Sequence, residues 1–439
     1  MEPHGAAHVN LRIALDAKSI DAGMLPGRRV GAPRDRDGDR MDDWPSPVRC
    51  RSLAHVRRRS ALAGGAALVI GLAACSDGAT GPDAGCSVPL AEFVDGGPAR
   101  SDIPALTNPH VARPQTPATA FIPEGSRVIG IIFNDQPLAI PHHVLWHHEI
   151  VNLSIPGQQL TVTYSPLTGS SLVFDRLTRY VSTFTVSRYV LGSNLVMEDE
   201  SGTLWPQMLG VASCGPRNGV ELQRVSHEEM SYAGWFATHP DTWVVSSATG
   251  YDFLYTLYPY GDYEDPANAS LAYPVQGELD TRRPPKERVL GITSAGGGLA
   301  VPLPLLDALR PPQSPVAVGN TTLDGEPIAV FWNVFAQAAI PFRAEANGQR
   351  LTFEAVGSER RDIETGSAWD LFGAAYEGPL EGVQLERIPD AHVAFWFAWA
   401  EFNPETDLWV PSVPTAIAGR SSVAPALPAA PVDRALFTR

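Results

Sequence analysis

Four histidines and a glutamate crowd into PHHVLWHHEIVN, residues 141–152. Imidazole is the commonest metal ligand, and imidazoles beside a carboxylate suit zinc, copper or iron. The spacing does not single out one ion. Read as extended chain, His142/His143 and His147/His148 point to opposite faces and cannot converge. His148-Glu149 also begins an H-E-x-x-H pattern, but its second histidine is replaced by Asn152, so the zinc-protease motif is incomplete. A metal held by His147 and His148 is the sharper reading of this run. Hydrogen-bonding histidines are the plainer one, with no cofactor expected.

TVTYSPLTGSSLVFDR, residues 161–176, offers hydroxyls at a corner: Ser165 and Thr168. Such residues at turns commonly bond their own backbone. As a nucleophile Ser165 needs a base, and His148, with Glu149 beside it, is the candidate on a neighbouring strand. TGYDFLYTLYPYGDY, residues 249–263, supplies Tyr251, Tyr258, Tyr260 and Tyr263. With Tyr164 they could line a ligand groove, each ring giving a flat apolar face and a polar tip. A loop laid over the core fits equally. The chain carries no G-x-S-x-G, S-x-x-K, phosphate-binding loop or G-x-G-x-x-G signature.

The elements that must position these residues read mainly as β (β-rich α+β). RVIGIIFNDQPLAI, from Arg127, alternates and breaks at Asn134-Asp135, a hairpin signal. QQLTVTYS, SLVFDR, STFTVSRYVL and NLVMEDE are further short strand-like runs. A short helix is expected around residues 228–240, ended by Pro240. RVIG at Arg127 recurs as RVLG at Arg288, SGTLW as TGSAW, GPRNGVEL as GPLEGVQL, and WFATHPDT as WAEFNPET, at offsets of 161–164 residues. That order predicts two homologous halves, residues 101–285 and 286–412, with one or two short helices each. Trp205/Trp369 and Trp235/Trp399 are the expected core anchors. The second half lacks the histidine run, and its matching corner, near Trp332 and Gln337, is rewritten, so chemistry is expected in the first half.

The N-terminal region reads as an address. Arg57, Arg58 and Arg59 precede an uncharged run that is too short for a bilayer span and ends at Leu72-Ala73-Ala74-Cys75. That pattern predicts a lipoprotein signal peptide over residues 41–74, lipidation of Cys75 and anchoring in the cell envelope. Arg58-Arg59 also admits twin-arginine export. Residues 1–40 precede a complete signal and read as a doubtful leader. Residues 75–100 read as a tether and 413–439 as a disordered Pro/Ala-rich tail. The first 74 residues hold twelve of the 33 basic and eight of the 48 acidic residues, leaving 21 and 40, a net charge of −19. That charge argues against nucleic acid as a partner and leaves the lipid as the route to the membrane. Lys286 is the single lysine of that remainder, and Cys86 and Cys214 could pair in an oxidising compartment.

The runs SDIPALTNP, HEIVN, TVTY-x-PL-x-G, LWPQ, HPDT, YPYGDY and PPKERVLG, in that order, closely resemble a family of exported bacterial and archaeal proteins, domain of unknown function 3179. The resemblance spans about residues 101–411. It implies no established activity. Its pattern reads N-W-H-E-I-V-N and T-Y-C-P-L-C-G. His148, Glu149 and Asn152 match the first, and Tyr164, Pro166, Leu167 and Gly169 the second, with Ser165 and Thr168 where the cysteines stand. A C-x-x-C corner implies thiol redox chemistry or a soft-metal site, neither of which a hydroxyl supports. The sequence therefore predicts a lipid-anchored envelope protein with a binding or structural role. The runner-up is a metal-dependent oxidoreductase or a hydrolase using His148, Glu149 and Ser165.

Overall fold

The computed structural model describes residues 85–97 and 102–411. The expected leader, signal peptide, lipidation site and tail lie outside the described residues. The chain opens with β1 (Val94–Asp95), β2 (Leu106–Thr107) and β3 (Val111–Ala112), then the hairpin β4 (Arg127–Phe133) and β5 (Gln136–Pro141). Helix α1 (His142–His148) leads into the meander β6 (Ile150–Ile155), β7 (Gln158–Ser165) and β8 (Ser170–Asp175). Next come β9 (Phe184–Leu191), β10 (Asn194–Asp199), β11 (Leu204–Pro206), β12 (Gln223–Arg224), β13 (Glu228–Ser231), α2 (Tyr232–Thr238) and β14 (Trp243–Val245). Residues 246–287 contain neither strand nor helix. Beyond them lie β15 (Arg288–Ile292), β16 (Leu299–Pro302), α3 (Leu303–Asp307), β17 (Val316–Leu323), β18 (Glu326–Asn333) and β19 (Ala338–Arg343). The short strands β20 (Glu345–Ala346), β21 (Gln349–Arg350), β22 (Phe353–Val356), β23 (Glu359–Asp362), β24 (Ala368–Trp369) and β25 (Ala375–Glu377) precede β26 (Ala391–Phe395), α4 (Trp396–Phe402) and β27 (Asp407–Leu408). The fold is mainly β, as the strand-like runs predict.

The hairpin signal at Asn134-Asp135 is realised: both residues take φ of 54°, and Phe133 pairs with Gln136. That geometry matches the right-handed twist of the flanking strands. One sheet has the strand order β13-β4-β5-β14-β3 and another the order β26-β15-β16-β27. Trp235 packs flat on Gly130 of β4, where an added Cβ would come within 2.2 Å of the ring, and its indole donates to Thr242 Oγ1 at 2.8 Å. Trp399 does the same on Gly291 of β15 and donates to Thr406 Oγ1 at 2.9 Å. Trp205 donates to Asp199, and Trp369 to Asp362. All four tryptophans are fully buried.

The expected helix over 228–240 is shorter. Glu228 to Ser231 are strand, paired with β4, and Ser231 caps the helix by accepting from Gly234 N. Two corners lock across the fold. Phe395 N donates to Thr168 O at 2.8 Å, and Ser231 N donates to Ala336 O at 2.7 Å. Gly169, at φ +57°, lets the first corner close on Phe395, whose ring lies 2.7 Å from where a Cβ would stand. Around this seam Ile150, Phe174 and Trp205 share one core with Phe395, Trp396 and Trp399.

Residues 85–97, which composition places in the tether, instead pack on the body. β1 pairs with β9, Phe93 is buried, and a disulfide joins Cys86 to Cys214. The bridge and one aromatic anchor hold a segment whose small-residue composition alone argues for freedom.

Candidate functional site

The histidine run is a helix, not extended chain. Pro141 presets the entry, Val144 and Leu145 bury one face, and Glu149 ends the helix at φ 53° with its N–H on Leu145 O. The helix fans the imidazoles apart. His142 lies on the Tyr164 ring and 3.9 Å from Glu229. His143 bonds Ser126 Oγ at 2.8 Å and Tyr255 O at 2.7 Å. His147 stacks on Phe253. His148 donates from Nδ1 to Pro104 O and accepts at Nε2 from the Tyr255 hydroxyl, both at 2.7 Å. Burial lowers the His148 pKa to about 4 and that of His142 to about 3. Among the described residues no three His, Cys, Asp or Glu side chains gather where they could hold one metal ion, so His147 and His148 are not joined by a third ligand.

Ser165 and Thr168 part company at the corner. The Thr168 hydroxyl lies in a closed buried network, 2.8 Å from Ser170 Oγ and 3.0 Å from Asn194 Nδ2, with Gln207 bridging Ser170 and Asn194. Ser165 is buried but lines a cavity of about 230 Å³ together with Glu149, Leu167, Val190, Tyr260 and Tyr273. Among the described residues its hydroxyl has no side-chain partner. His148 does not line this cavity, and both its ring nitrogens are spent elsewhere. The structure therefore puts Glu149 and Ser165 on the wall of one cavity and leaves His148, the base expected for Ser165, outside it.

Glu149 dominates the cavity. The residue is 94% removed from solvent, and the one hydrogen bond of its carboxyl among the described residues is a 3.4 Å contact from the Tyr260 hydroxyl. Burial raises its pKa to about 8. The other walls are mostly apolar, and Arg188, paired with Asp95, marks the side open to solvent. Of the five expected groove tyrosines, Tyr260 alone lines the cavity. Tyr164 donates to Glu264 at 2.8 Å, Tyr263 donates to Leu167 O at 3.0 Å beneath the Lys286 ammonium, Tyr258 packs on Trp146, and Tyr251 is exposed beside His148. Lys286 is fully buried, with its charge on the Tyr263 ring.

Sequence reading missed Tyr273, Val190 and Gly96, the last on the segment assigned to the tether. It also missed a buried ion cluster. Glu229 accepts from Arg127 Nε and Ser171 Oγ, each at 2.6 Å, and lies 3.8 Å from Arg288. Burial alone would raise its pKa; Arg127, His142 and Arg288 outweigh that and hold it at about 2. The recurring arginine of RVIG and RVLG was the available signal.

A family model matches residues 100–406, most of the chain and, apart from Gly96, the residues that line the cavity. The chain belongs to the family described as "Protein of unknown function (DUF3179)". No curated protein and no solved structure matches it. Within the DUF3179 frame, the positions where the resemblance places cysteines have different settings in this member: 165 faces the cavity and 168 the hydrogen-bond network. Among the described residues no helix is long and apolar enough to cross a membrane.

Proposed function

We propose that this DUF3179 member is a lipid-anchored cell-envelope binding protein whose ligand site is the Glu149 cavity. One observation carries the binding role: a buried carboxyl faces a mostly apolar cavity with a single long side-chain hydrogen bond among the described residues. Buried polar groups are ordinarily satisfied, and among the described residues the protein gives this carboxyl one long side-chain hydrogen bond, which leaves it capacity for a ligand. Its left-handed backbone, uncommon for a residue other than glycine, is the kind of local strain that collects at functional sites. The lipobox-like Leu72-Ala73-Ala74-Cys75 supports anchoring, and the Cys86–Cys214 disulfide fits an oxidising compartment.

The body is a duplicated scaffold in this reading. Supporting it are the matching strand orders of the two central sheets, the Trp–Gly and Trp–hydroxyl contacts repeated at Trp235 and Trp399, and the reciprocal corner contacts. The site lies in the first half, and the second braces it by closing Phe395 onto the corner that carries Ser165.

Thermal shift of the purified full chain against a panel of small aromatic amines, alcohols and acids tests the binding role. At least one class stabilises the wild type and not Leu167→Trp, which fills the cavity. A panel with no effect on the wild type refutes the role. For the anchor, Cys75→Ala or globomycin is expected to move the protein out of the membrane fraction; a distribution unchanged by either refutes lipidation.

A further inference from the structure

We infer that the Glu149 cavity selects a compact apolar molecule bearing a protonated amine, with the ammonium against the Glu149 carboxylate and the apolar body against Leu167, Val190 and Tyr273. The inference rests on the binding role proposed above and names its ligand class. Once ionised, the Glu149 carboxylate accepts hydrogen bonds and does not donate, so the partner that would hold it in that form is a donor, best a charged one. Among the described residues the carboxyl receives one side-chain hydrogen bond, the 3.4 Å contact from the Tyr260 hydroxyl. Tyrosine rings on the wall present faces that attract cations. The net charge of −15 over the whole chain draws cations toward it.

The charge balance follows. In the empty cavity burial keeps Glu149 protonated at neutral pH. An ammonium brings a charge that stabilises the carboxylate, so the carboxyl proton leaves to solvent as the ion pair forms. One proton is released per ligand. No bond of the ligand breaks. The other ionisable groups around Glu149 are Tyr260, Tyr273 and Tyr189, and Arg188 with its partner Asp95. Tyr260 and Tyr273 stay neutral through this range, since burial raises the pKa of Tyr260 to well above its usual value and raises that of Tyr273 as well. Asp95 and Arg188 each keep their charge, the first with its pKa lowered and the second with it raised. Glu149 is left as the group that titrates.

Calorimetric titration of the purified full chain with 2-phenylethylamine, and with the neutral 2-phenylethanol, tests this. The amine is expected to bind with a Kd that tightens about tenfold per pH unit from pH 5 to pH 7 and levels near pH 8. Repeating the titration in buffers of different ionisation heat should show one proton released. Glu149→Gln, which keeps the shape of the protonated acid, loses the pH dependence and most of the amine affinity; Tyr260→Phe keeps the pH dependence. Equal binding of amine and alcohol, or amine binding unchanged in Glu149→Gln, overturns the ammonium assignment while leaving the cavity a binding site. No binding of either probe at any pH overturns the ammonium assignment, and the wider panel then decides the binding role separately.

Discussion

Glu149→Gln should stabilise this protein, and the gain should grow with pH. The folded carboxyl has a pKa of about 8 against 4.5 for the free side chain, so folding holds a proton that the unfolded chain releases. The sign follows directly. Below pH 4.5 both states are protonated and the group costs nothing. As pH rises, the unfolded chain gains from ionising and the folded chain does not, until pH passes about 8. At about 1.4 kcal/mol per pH unit the penalty is under about 1 kcal/mol at pH 5 and about 3 kcal/mol at pH 7. Glutamine has the shape of the protonated acid and never ionises, so the variant escapes the penalty. For a body of this size the offset at pH 7 is about 5 °C in Tm. Melts of wild type and variant by circular dichroism at pH 5, 6, 7 and 8 measure it. The reasoning is refuted if the two melts stay parallel across that range, or if the variant is the less stable at pH 8.

The buried histidines act in the opposite direction. His142, His148 and His227 have pKa values lowered to between about 3 and about 4 from 6.5, so the unfolded chain takes up protons first and stability should fall as pH drops from about 6.5 toward 4, visible as a declining urea midpoint. Cys214→Ser opens a loop of 128 residues and should cost about 3–5 kcal/mol by chemical denaturation; an unchanged midpoint argues that the bridge is dispensable. Gly169→Ala meets both a positive φ and the Phe395 ring, and a loss of about 2–3 kcal/mol is expected in the same assay. Glu229→Ala strands Arg127 and Arg288 without their shared carboxylate, with about 3–5 kcal/mol lost or no soluble protein recovered.

The strands were legible where chemistry is local. Asn134-Asp135 writes its turn, and Pro156-Gly157 closes the next hairpin with Gly157 at φ +85°. The recurring tryptophans announced the core because nothing else fills such volume. The histidine helix was not legible: in seven residues the polar periodicity of a helix and the alternation of a strand look alike, and Pro141 together with the buried Val144 and Leu145 decided it. Ser165 and Thr168 could be singled out but not told apart, because which hydroxyl faces the cavity depends on Asn194 and Gln207, both distant in sequence. Glu149 was named beside a histidine, yet its importance comes from burial by Tyr260 and Tyr273, on a segment with neither strand nor helix. No local pattern records that a carboxyl will be left nearly bare. The packing of residues 85–97 on the body was hidden for the same reason, since Cys86 bonds Cys214 and Phe93 packs on Tyr189, each more than ninety residues away.

Infrared difference spectroscopy of Glu149 tests the central claim most directly. At pH 7 the purified chain should show a protonated-carboxyl band that is absent in Glu149→Gln, and saturating 2-phenylethylamine should replace it with carboxylate absorption. A Glu149 already ionised at pH 7 in the ligand-free protein, or a protonated band untouched by the amine, would contradict the account.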